Sequence, residues 1–82
     1  MKLNLYYATI NHYRAQAQEA LAAMEMYLNE PVAIGGHSNF TDEIKKWTEQ
    51  LAHAEGAIAS LTKYFGAQVE AAQAPPHSQE EQ

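Results

Sequence analysis

Glu30-Pro31-Val32-Ala33-Ile34-Gly35-Gly36-His37-Ser38-Asn39 divides the 82-residue sequence into two halves that otherwise read alike. Proline disfavours helical backbone in the residue before it, so a helix arriving from the N-terminal side stops near Asn29. Gly35-Gly36 reverses the chain, Val32 and Ile34 are suited to plugging the open end of a hairpin, and Ser38 or Asn39 can cap whatever follows. Asp42 and Glu43 then fall in a first helical turn, where the backbone dipole favours negative charge.

Upstream of the break, apolar or small residues stand at Leu3, Tyr6, Ile10, Tyr13, Ala17, Ala20, Met24 and Tyr27, in alternating steps of three and four. Downstream the same alternation runs through Phe40, Ile44, Trp47, Leu51, Ala54, Ile58, Leu61 and Phe65. Each set is a heptad seam, the pattern that one helix presents to another. Leu3, Leu5 and Tyr7 also alternate as in a strand, so the first helix is placed at about 5–29, the loop at 30–38 and the second helix at about 39–66, with Gly66 as the stop. Residues 67–82 are expected to be a frayed helix end and a disordered acidic tail.

Two helices joined by a short loop pack antiparallel. With Met24 opposite Ile44, Ala17 falls opposite Leu51, Ile10 opposite Ile58 and Leu3 opposite Phe65, and both seams stay in phase. The same register sets Arg14 against Glu55 and Leu21 against Thr48. The expected fold class is all-α, an antiparallel two-helix hairpin with heptad seams. Tyr7, Leu21, Leu28 and Tyr64 lie immediately beside the seams and widen the apolar stripe beyond what two helices cover. These four are the candidate partner or self-association surface, and a dimer of hairpins closing into a four-helix bundle is the simplest way to bury them.

Composition narrows the chemistry. The chain has no cysteine, which excludes disulfides and thiolate metal sites. A chain this short buries only about 60% of its unfolded surface, so it gains from self-association. Of the net charge of −5, three negative charges fall on Glu70, Glu80 and Glu81, and the body is close to neutral. No Lys/Arg cluster marks a nucleic-acid footprint, and the aromatic residues read as seam rather than as a base-stacking platform. No apolar run reaches the roughly 18 residues of a membrane span, and Met1-Lys2-Leu3-Asn4-Leu5 is too short in apolar length for a signal peptide. The expectation is a cytoplasmic protein without membrane or nucleic-acid partners.

His12, His37, His53 and His77 show no metal-ligand spacing, and His12 and His53 are expected on outward faces of different helices. Glu19, Glu25, Asp42, Glu43 and Glu49 read as solvent-facing rather than as a paired acid and base. Ser38, Ser60 and Ser78 lack a nucleophile-elbow context. No catalytic residue, metal or cofactor is expected, and the chain reads as non-enzymatic. Gly35, Gly36, His37 and Ser38, at a helix start, form a candidate anion-binding loop through their backbone N–H groups, although they lack a phosphate-loop pattern.

The stretch Tyr27 to Asn39, followed by an acidic helix ending Leu61-Thr62-Lys63-Tyr64-Phe65, resembles short helical-hairpin proteins of tailed bacteriophages, marine and cyanobacterial ones included, whose loop reads Asn-Pro-Val-Gly-Ile-Gly-Glu-His-Pro-Asp. The chain departs from that loop by an inserted Glu30, by Ala33 and Gly36 in place of Gly and Glu, and by Ser38-Asn39 in place of Pro-Asp. The resemblance covers the middle half of the chain. It implies a viral origin and brings no catalytic or binding residue with it. The expected function is contact with protein: self-association, with a dimer as the first expectation, and binding of a host or virion protein. A nucleotide-sequestering anti-defence protein and a virion assembly component are the alternatives.

Overall fold

The structure, a computed structural model, describes residues 1–29 and 39–74. It is a hairpin of two helices, α1 (Leu3–Asn29) and α2 (Phe40–Gln73), packed against each other along their length. At 1.5 Å per residue they are about 40 and 51 Å long. The loop expected at 30–38 lies outside the described residues, as does the tail from Pro75 onward.

α1 starts at Leu3, earlier than the strand-like alternation of Leu3, Leu5 and Tyr7 suggested, and the amide of Tyr6 donates to the carbonyl of Lys2 at 3.2 Å. All eight seam positions of α1 are buried or half-buried, with Ile10 at 2% exposure the largest fully buried side chain. Asn39 occupies the N-cap of α2, but its side chain makes no capping bond. Its carbonyl takes the first helical bond instead, from the Glu43 amide at 3.0 Å.

Two features at the far end of α2 correct the sequence reading. The helix does not stop at Gly66 but continues to Gln73, and Val69 is buried. Ala67, Gln68, Glu70, Ala71 and Ala72 are sound helix formers, and Val69 adds a buried apolar contact that holds the extra turns in place. Phe65, expected opposite Leu3 in the seam, is 44% exposed. A seam repeating every 3.5 residues rotates slowly around a helix of 3.6 residues per turn. By the last turns the inward position has moved, and Val69, eleven residues beyond Ile58, holds it in place of Phe65.

Contacts between the helices agree with the antiparallel register. The rings of Tyr27 and Phe40 lie 6.0 Å apart, and those of Tyr13 and His53 5.9 Å apart. Gln50 Nε2 donates to the backbone carbonyl of Gln16 at 3.0 Å and to Glu19 Oε1 at 2.9 Å, tying the middles of the helices together. The Arg14–Glu55 pair does not perform this task. Arg14 Nη1 instead donates to Asn11 Oδ1 on its own helix at 3.1 Å, a local partner that requires no ordering of a second helix.

Among the described residues only Ile10, Ala20, Ala54 and Val69 are buried. Two of these are alanines, which draw the helices together but supply little apolar area. The core is therefore narrow, and most seam side chains keep one edge in water.

Candidate functional site

The surface beside the seam divides into two edges. Tyr7, Arg14, Leu21 and Leu28 recur every seven residues along one edge of α1, and Thr9, Gln16 and Ala23 along the other. Because Gln50 bonds Gln16, the second edge is the one α1 shares with Gln50, Ala57 and Tyr64 of α2. Thr9, Gln16 and Ala23 are half-buried there, whereas Arg14, Leu21 and Leu28 on the first edge are exposed.

The four candidate surface residues therefore do not form one patch. Leu21 at 49% and Leu28 at 60% exposure share the first edge, near the loop end. Tyr64, 64% exposed, lies on the opposite edge at the open end. Tyr7 is half-buried: its ring meets Tyr6 edge-on at 5.5 Å, and its hydroxyl accepts from Gln73 Nε2. In the register Tyr7 stands opposite Leu61, about three turns before Gln73.

The open end carries a larger apolar feature that the sequence reading missed. Met1, Leu5, Tyr6, Leu61 and Phe65 line a shallow groove of 370 Å³ together with Lys2, Thr9 and Gln68. Met1, Leu5 and Phe65 are all exposed there, and Tyr64, one turn from Leu61 along α2, is exposed as well. Leu5 was the available signal. It lies off the seam, and a leucine off the seam near an open hairpin end has no partner within the chain. A second groove, of 290 Å³, is lined by Thr41, Ile44, Lys45, Thr48 and Glu49, and Leu21 faces Thr48 in the register.

His12 and His53 are exposed, and both approach the ring of Tyr13, at 5.0 and 5.9 Å, so they share a neighbour across the hairpin instead of standing apart. No three His, Asp or Glu side chains among the described residues converge as a metal site would require. Glu43 is half-buried and accepts a hydrogen bond from the Tyr27 hydroxyl at 3.4 Å. Desolvation, then the Glu43 charge and this bond, raise the Tyr27 pKa above its ordinary 10.0. Lys46 lies 4.7 Å from the Trp47 ring centre and Lys63 5.2 Å from that of Tyr64, each cation shielding an aromatic of its own helix. The candidate anion loop of Gly35, Gly36, His37 and Ser38 lies outside the described residues.

No helix among the described residues is long and apolar enough to cross a membrane. No family model, curated protein or solved structure matches the chain.

Proposed function

We propose that this chain is a non-enzymatic helical hairpin that works by contact with protein, associating with itself and presenting apolar surface to a partner protein. The observation that carries this reading is the imbalance of its apolar side chains. Among the described residues four are buried, while Met1, Leu5, Leu21, Met26, Leu28, Tyr64 and Phe65 are exposed. Single exposed apolar residues are ordinary, but clustering at a groove marks an interaction surface. Met1, Leu5 and Phe65 cluster in this way at the open end, with exposed Tyr64 beside Phe65 in the chain, and Leu21 and Leu28 form a smaller strip near the loop.

Equilibrium sedimentation combined with binding of an environment-sensitive apolar dye tests the proposal. The expected result is self-association by the wild type, and dye binding that falls in Leu5→Gln/Phe65→Gln while helix content by circular dichroism is retained. A chain that stays monomeric and binds no dye overturns it.

A further inference from the structure

Seven-residue steps along the outward face of α2 meet Asp42, Glu49, Gly56, Lys63 and Glu70, and all five are exposed. Gly56 sits in the middle of a 34-residue helix, where glycine is a markedly poorer choice than alanine. A Cβ built on it meets nothing within 4 Å, so no packing within the hairpin explains the glycine. Ala52, Ala59 and Ser60 around it are also small and exposed, leaving the backbone open to close approach.

The charges on either side supply the second observation. Glu49 and Lys63 stand one heptad before and one heptad after Gly56, with opposite sign. A second α2 crossing antiparallel at Gly56 under a two-fold axis brings each Glu49 against the Lys63 of the other copy, twice. A parallel crossing sets Glu49 against Glu49 and Lys63 against Lys63, so the charges select the antiparallel arrangement. The same two-fold sets Glu70 against Asp42, a like-charge pair, but at twice the distance from the crossing point, where the helices have diverged and the repulsion is weaker than the Glu49–Lys63 attraction.

The geometry points to a second copy of this chain docking on the α2 face centred on Gly56, held in register by reciprocal Glu49–Lys63 pairs. This rests on the self-association proposed above but moves it to a small, charged face, so that the exposed apolar residues serve the partner protein rather than the dimer. The two hairpins then form a layer with α1 outermost on each side. The Leu5–Phe65 groove and the Leu21–Leu28 strip of both copies remain free for a partner.

Sedimentation equilibrium on the full chain tests the assignment with Lys63→Glu, Glu49→Lys, the double reversal and Gly56→Leu. Each single reversal is expected to raise the dimer dissociation constant by about tenfold or more, and the double reversal to return it to within about threefold of wild type. Gly56→Leu should weaken association with helix content retained, because the new side chain fills the crossing point. A wild-type dimer that withstands the single reversals and Gly56→Leu, or a double reversal that restores nothing, overturns this face and leaves self-association standing. A wild-type chain that is monomeric throughout overturns both.

Discussion

α1 and α2 carry the same inward pattern but different outward ones. Over 27 residues α1 has three charged side chains, Arg14, Glu19 and Glu25, whereas α2 has eight over 34. Four large apolar residues of α1 are exposed, Leu5, Leu21, Met26 and Leu28, against Tyr64 and Phe65 on α2. The inward faces are alike because both helices meet the same demand, to fill one narrow seam. No such demand acts on the outward faces. Depletion of charge is the compositional mark of a surface that becomes the core of an interface. The difference teaches that the fold uses the two helices symmetrically while their outward faces diverge, apolar on α1 and charged on α2, and the two proposals above follow that division.

The largest test of the shared inward pattern is Ile10→Ala. It removes the one large side chain that is fully buried among the described residues and is expected to cost about 2–5 kcal/mol in urea or thermal unfolding, much of the stability of so small a domain. Leu51→Ala, at a half-buried position of the α2 seam, is expected to cost less, about 1–2 kcal/mol. Equal losses at the two sites would mean that the α2 seam is buried more deeply than the hairpin alone allows, and would place a partner against the seam edge rather than on the outward face of α2.

A smaller effect distinguishes the two ends of α2. Val69→Ala is expected to destabilise by about 1–2 kcal/mol, and Phe65→Ala by less, although phenylalanine is the larger residue. The reverse order would restore Phe65 to the seam and return the end of the helix to Gly66.

The smallest effect is electrostatic and lies where the two helices meet at the loop end. The raised Tyr27 pKa means that the folded state favours the protonated phenol. That stability is fully present below the ordinary value of 10.0 and is lost as pH rises through the folded-state value. Alkaline unfolding of the wild type should therefore steepen above pH 10.0 relative to Tyr27→Phe, in which the Glu43 contact is absent. Parallel pH profiles for the two proteins would show that the contact contributes nothing.

Much of the hairpin was legible in the sequence, for a definite reason. Heptad spacing in Leu3 to Tyr27 and Phe40 to Leu61 records which side of each helix leaves water, and Pro31 with Gly35-Gly36 forbids one continuous helix, so helix number, direction and facing register follow from local chemistry. The exposure of Leu21, Leu28 and Tyr64 was legible residue by residue, but how they are grouped was not. Whether positions beside a seam share an edge depends on which way the second helix turns its own flanks. That required the Gln50–Gln16 contact, which sends Tyr64 to the opposite side from Leu21 and Leu28.

By itself, then, the sequence determined two helices, their antiparallel pairing and the approximate identity of facing residues, because these depend on periodicity and backbone preference. Only the tertiary structure decided that α2 continues past Gly66 to bury Val69, that Phe65 turns outward to meet Leu5, and that Gly56 has open space before it. Each of these depends on the slow rotation of a straight helix against its partner and on what lies across the gap. Neither quantity can be read from a single chain position.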